Sequence, residues 1–212
     1  MKKILMGLAI LATQLYSVDT ELNMGREVDS WYIGADVGLI DFDGSLEVDR
    51  GSGFRNINSN KDIKSSPLRL KWGFLQEQDN RLEFYYKNDS VDVNQELFST
   101  DTVGVKSEWG FSSLSTKNML PYFALGFGLG KSSSSYREGE DGKVFNNGVV
   151  IELDLNLGLH YKIYEKIDIS TNIFRKNILN MISDAHKNNE GSADYSVLAT
   201  FYGMEIGFSY YF

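Results

Sequence analysis

The side chains able to do chemistry are few and scattered. His160 and His186 are the only imidazoles, and cysteine is absent. His186 follows Ser183 and Asp184, and a histidine base beside a hydroxyl and an acid is the material of hydrolysis. Carboxylates at Glu83, Glu108, Glu152 and Asp154 are the residue type for acid/base work. Asp41, Asp43, Ser45, Glu47 and Asp49 place oxygens at alternate positions, as a Ca²⁺ site would, but EF-hand spacing is not met. Solvated acids are the expectation there, with no metal and no cofactor. Without cysteine there are no disulfides and no thiol chemistry.

Elements that position such groups are read from the N-terminus onward. Lys2 and Lys3 precede a mostly apolar run over residues 4–15, and Ser17 is a small residue at its exit. That order is a secretory signal peptide, residues 1–17, leaving one domain over residues 18–212. The formal net charge of −8 disfavours nucleic acid, whose phosphates need a basic surface. No later run supplies the roughly 20 apolar residues of a membrane helix. Any crossing must use strands, and backbone groups in lipid then require a closed barrel.

A period of two pervades the rest. Trp31, Ile33, Ala35, Val37 and Leu39 share one face, with Tyr32, Gly34, Asp36 and Gly38 on the other. Leu68 to Phe74 opposes Arg69 and Lys71, and Leu82, Phe84 and Tyr86 oppose Glu83, Tyr85 and Lys87. Val103, Val105, Trp109 and Phe111 oppose Lys106 and Glu108, with Ser107 an exception on the apolar face. Phe123, Leu125, Phe127 and Leu129 alternate with Ala124, Gly126, Gly128 and Gly130. Three more segments follow, around residues 149–161, 167–173 and 202–212, with Glu152, Asp154, His160 and Glu205 on their polar faces. Long polar connections are expected over residues 41–66, 88–101, 131–148 and 177–194, and short turns over 76–80, 112–119 and 163–166. The expected fold is all-β: a closed antiparallel eight-stranded transmembrane β-barrel, with four long loops outside and both termini on the periplasmic side.

Three features put the apolar face outward. The polar face is rich in glycine, which only weakens a solvent-facing strand but leaves room inside a narrow barrel. An eight-stranded interior is just wide enough for side chains and could not hold this many Trp, Phe and Leu. Trp31, Tyr86, Trp109, Tyr161, Tyr210 and Phe212 lie near strand ends, where interfacial girdles form. The ending Phe208-Ser209-Tyr210-Tyr211-Phe212 resembles the C-terminal signature of outer-membrane barrels. That resemblance implies recognition by the barrel-assembly machinery in a Gram-negative cell. Size, strand count and loop order are similar to the OmpA/OmpX-type eight-stranded class, as a pattern over the whole mature chain.

The inward charges are then Asp36, Arg69, Lys71, Glu83, Lys87, Lys106, Glu108, Glu152, Asp154 and Glu205. Buried charges must be paired. The expectation is a network that plugs the lumen, with Lys71 and Lys106 between Asp36 and Glu205. His160 points into that lumen, away from lipid, and lacks a neighbouring hydroxyl at the positions two before and two after. The spacing around His186 is common in polar loops, so no enzymatic activity is expected. The expected protein is a monomer in outer-membrane lipid and lipopolysaccharide, with a structural or surface-interaction role carried by its loops. A narrow pore for small solutes is the alternative, with a lipid A-modifying or proteolytic outer-membrane enzyme as the third reading.

Overall fold

The structure is a computed structural model and describes residues 24, 29–49, 55–58, 64–65, 67–76, 79–93, 96–137, 143–182 and 195–212. The expected signal peptide, residues 1–17, lies outside them, as do His186 with Ser183 and Asp184 and residues 138–142. Along residues 39–49, 55–58, 64–65, 91–93, 96–98, 134–137, 143–147, 180–182, 195–197 and 199 only the backbone is described.

Ten strands form in chain order: β1 (Trp31–Asp49), β2 (Arg55–Asn58), β3 (Lys64–Ser65), β4 (Leu68–Leu75), β5 (Arg81–Val93), β6 (Glu96–Gly110), β7 (Met119–Arg137), β8 (Lys143–Tyr164), β9 (Ile167–Ile182) and β10 (Tyr195–Tyr211). From β4 onward each pairs antiparallel with the next, β1 pairs with β4, and β10 returns to β1. The closing pair runs from Tyr32↔Tyr211 to Asp49↔Ser196, with register shifts around Gly38/Ile40 and Asp41/Asp43. The result is a closed eight-stranded antiparallel barrel. β2 and β3 are short additions against β1 and β5.

The strands run further than the polarity of the sequence implies. β5 and β6 stay paired out to Val93↔Glu96, β7 and β8 to Arg137↔Lys143, and β9 and β10 to Ile182↔Tyr195. Much of what reads as loop is therefore ladder, because a hairpin continues wherever both partners can pair, whatever side chains it carries. The acidic run Asp41 to Asp49 likewise lies in β1. At the other end the connections are tight. Gln76 N–H donates to Asn80 O (2.7 Å), Asp79 takes a left-handed φ of 63°, and a short 3-10 turn spans Ser112–Leu114. The chain ends meet there, since Phe212 N–H donates to Trp31 O (3.0 Å).

Burial alternates as the period requires, with apolar residues outward and charges inward. Leu157 is 57% and Val103 61% exposed, whereas Lys87 and Glu152 are 0% exposed. Inside, bulk and space are matched across strands. Tyr32 faces Gly73, Tyr85 faces Gly104, and Tyr122 faces Gly158 in directly opposed register. Each ring lies over its glycine, so the missing side chain is filled from the neighbouring strand. A Cβ on Gly73 would meet Tyr32 Oη at 2.6 Å and Leu82 O at 2.5 Å. Gly73→Ala is therefore expected to destabilise the barrel by about 1–3 kcal/mol, the usual cost of overpacking. Urea unfolding in lipid vesicles measures this, and an unchanged midpoint would show that the ring moves freely aside.

Candidate functional site: the lumen and its charge ladder

The inward rows of neighbouring strands bring the charges of distant segments together. Arg81, Glu83, Tyr85, Lys87 and Asp89 form one row on β5, facing Asp36, Arg69 and Lys71 on β1 and β4 and Lys106 and Glu108 on β6. All of these are buried.

Their ion pairs run continuously up the lumen. At the inner end Arg81 reaches Asp168 (3.3 Å) and, at 4.0 Å, Glu108. Lys106 bridges Glu108 (3.0 Å) and Glu83 (2.9 Å). Lys71 lies 3.9 Å from Glu83 and donates to Asp36 Oδ1 at 2.5 Å. Arg69 continues from Asp36 (3.6 Å) to Asp154 (2.7 Å) and Glu205 (3.3 Å). Lys87 joins Asp154 (3.8 Å) to Glu152. Above this, Lys176 pairs with Asp89. Burial makes each pairing consequential, because removing one partner strands a charge in a low-dielectric interior.

Glu205 is served by Arg69 and by the Asn172 amide (3.4 Å), rather than by Lys71 or Lys106. Lys71 sits between Asp36 and Glu83, and Lys106 between Glu83 and Glu108. The reason is register: Lys71 and Glu83 lie on paired strands offset by two residues, and Lys106 is directly opposite Glu83. Sequence reasoning passed over Arg81, Asp89, Asp168 and Lys176 as site residues. Continuing the period-two rows past the assumed strand ends finds Arg81, Asp89 and Lys176, and Asp168 already lies on the polar face of the segment expected over residues 167–173.

Both ends of the lumen carry apolar or aromatic layers. At the inner end the Arg81 guanidinium lies over the rings of Tyr32 (5.9 Å) and Tyr211 (5.6 Å) and donates to Tyr211 Oη. His160 stacks on Tyr122 (4.3 Å), and its Nε2 is 2.9 Å from Glu108 Oε2. Leu75 and Leu120 are buried beside them, and Met24 lends its carbonyl to Lys162 Nζ (2.6 Å). At the outer end Val150, Ile178 and Phe201 are buried, with Lys176 Nζ over the rings of Phe174 (5.4 Å) and Phe201 (5.5 Å).

The outer surface is apolar and edged by aromatics. Trp31, Trp109, Tyr161, Phe208, Tyr210 and Phe212 are exposed toward the turn end, with Trp31 against Phe74 (5.3 Å) and Trp109 stacked on Phe123 (5.8 Å). Tyr86 is exposed nearer the other end, where its hydroxyl donates to Asp101 (2.7 Å). A wall with its apolar side out and its charges in is built for lipid. The chain folds as a closed eight-stranded antiparallel β-barrel with an apolar outer wall. No protein-family model matches the chain, and no curated protein matches it. Solved structures with similar folds include Neisserial surface protein A, NspA (15% identity, 86% of this chain and 97% of that one, TM-score 0.49). AlkL, an outer-membrane protein solved in lipid bilayers, is 10% identical over 89% of this chain and 92% of its own, with a TM-score of 0.48. OprG from Pseudomonas aeruginosa is 13% identical over 88% and 98%, with a TM-score of 0.44.

Arg69 binds three carboxylates on three other strands. Arg69→Ala is expected to cost about 3–5 kcal/mol, because Asp36, Asp154 and Glu205 lose a shared cation at once. Arg69→Met combined with Asp154→Leu should cost less than Arg69→Ala alone. Vesicle-based urea titration of the three proteins checks the order.

Proposed function

We propose that this chain is an integral outer-membrane protein of a Gram-negative cell, with a structural and surface-contacting role and a lumen closed to solutes. The supporting observation is the ladder itself. From Arg81 to Glu152 every charged rung is buried and reaches the next, in a barrel whose interior is only wide enough for side chains. The task then falls to the outer end, where the connections vary most freely. Lipopolysaccharide is the fitting neighbour there. Lys131 and Arg175 are outward-facing cations at the upper edge of the apolar wall, with Arg175 over Tyr202 (5.7 Å), positioned for lipid phosphates. At the opposite edge the exposed Phe212 supports recognition by the assembly machinery.

We read the chain as non-enzymatic. His160 is enclosed by Tyr122, Glu108 and Arg81, so its ring serves the ladder and meets no substrate.

Purified protein in planar bilayers is expected to show no large stable conductance steps; such steps would overturn the closed-lumen reading. Protease added to intact cells should cut within residues 183–194 and spare the barrel. Protection of that segment on intact cells, with cleavage only after lysis, would reverse the assigned orientation.

A further inference from the structure

Two polar rungs interrupt the outer wall on β9 and β10. Their outward side chains face each other directly across the ladder: Ile173 with Met204, Arg175 with Tyr202, Asn177 with Thr200, and Leu179 with Leu198. The polar rungs therefore lie between apolar ones, with a last apolar rung above them. On the next strand Leu155 stands beside Arg175, Leu153 beside Asn177 and Ile151 beside Leu179. Leu153 is 48% and Ile173 42% exposed, so lipid chains reach the edges of this island.

The island is rich in hydrogen-bond donors. The Arg175 guanidinium is exposed and lies over the Tyr202 ring (5.7 Å). Among the described side chains no carboxylate pairs with it. Thr200 Oγ1 donates to Asn177 Oδ1 (3.1 Å), so the amide oxygen is engaged and the N–H₂ group is left to donate elsewhere. The Tyr202 hydroxyl is a further donor on the Arg175 rung. A guanidinium among lipid-facing apolar residues is costly without a counter-charge. The other outward cation at this edge has one in its own neighbourhood. Lys131 stands directly opposite Asp101, which also accepts from Tyr86 and Asn88.

Two features select the missing anion. A guanidinium fork takes two oxygens of one phosphate side by side, and the Asn177 amide is placed for a third. A phosphomonoester presents three such oxygens, whereas the diester of a phospholipid presents two. The apolar rungs above, below and beside the island call for acyl chains on the same molecule, which a free anion lacks. We propose that the β9–β10 island binds one phosphomonoester-bearing glycolipid, the lipid A part of lipopolysaccharide. Its phosphate sits on Arg175 and Asn177, and its chains run along Ile173, Met204 and Leu153. The proposal rests on the orientation given above and narrows the lipopolysaccharide contact to one place and one chemical group.

Native mass spectrometry of the folded protein released from detergent micelles counts the lipid it retains. With lipid A added, the unaltered barrel should keep one molecule. Dephosphorylated lipid A and phosphatidylglycerol should each be retained about tenfold less. Arg175→Gln should lower lipid A retention about tenfold, and Arg175→Lys, which keeps the charge but loses the fork, should fall between. Lys131→Gln should match the unaltered protein. Excess inorganic phosphate should leave lipid A in place. Heat-modifiable gel migration shows that each variant is folded; if Arg175→Gln does not fold, Asn177→Leu carries the same test. Undiminished retention by the folded variant would overturn the site. Equal retention of dephosphorylated lipid A would reduce it to apolar adhesion, and equal retention of phosphatidylglycerol would overturn the monoester. Displacement by inorganic phosphate would show a free-anion site, and a lipid-free dimer would show that a second copy covers the island; either overturns the proposal. Cleavage of residues 183–194 only after cell lysis would instead sink the orientation, whatever lipid is retained, so the two failures are distinguishable.

Discussion

The hydrogen bonds between β10 and β1 are the constraint on which the rest depends. An open sheet in lipid would leave two edges of unpaired backbone groups, each costing several kcal/mol. Closure from Tyr32↔Tyr211 to Asp49↔Ser196 removes both edges and divides every strand into an inside and an outside. Once the sheet is closed, the even-numbered positions of β1 and the odd-numbered positions of β10 point inward together only if the register is right; Asp36 then meets Gly207, whose missing side chain makes the room.

A closed barrel of this width imposes a second condition. Each inward side chain must fill space and, if charged, find a partner. The chain meets both with long cations that cross the lumen and with tyrosines that cover glycines on the adjoining strand. Arg69 touches carboxylates from β1, β8 and β10, and Arg81 touches Glu108 and Asp168 on β6 and β9. Pairs of this kind add little net stability over apolar packing, since desolvation offsets most of the attraction. They penalise error instead. A strand slipped by one residue would turn its charges into lipid and leave their partners stranded.

The two ends of the lumen are finished differently. The inner end is sealed by stacked rings around one guanidinium, with His160 held between Tyr122 and Glu108. The outer end is lined by Val150, Ile178 and Phe201 below ladders that rise beyond the apolar wall. Those projecting ladders keep the hairpins paired out to Val93↔Glu96, Arg137↔Lys143 and Ile182↔Tyr195.

Strand identity, the outward direction of the apolar face and the inward direction of the charges were legible in the sequence, because a period of two is a local property and glycine against bulk marks the narrow side. Arg81, Asp89 and Lys176 belong to the same rows and were legible too, had the rows been followed past the first polar residues. The partners were not. Which cation meets which carboxylate depends on the offset between strands and on the reach of each side chain, so Glu205 went to Arg69 and Lys71 to Asp36 and Glu83. The same holds for the histidine. Sequence placed His160 on an inward face, and only the assembled barrel set Tyr122 against it and Glu108 within hydrogen-bonding distance. Alternation along one strand needs no knowledge of the others, whereas a charge network exists only after eight strands have agreed on a common register.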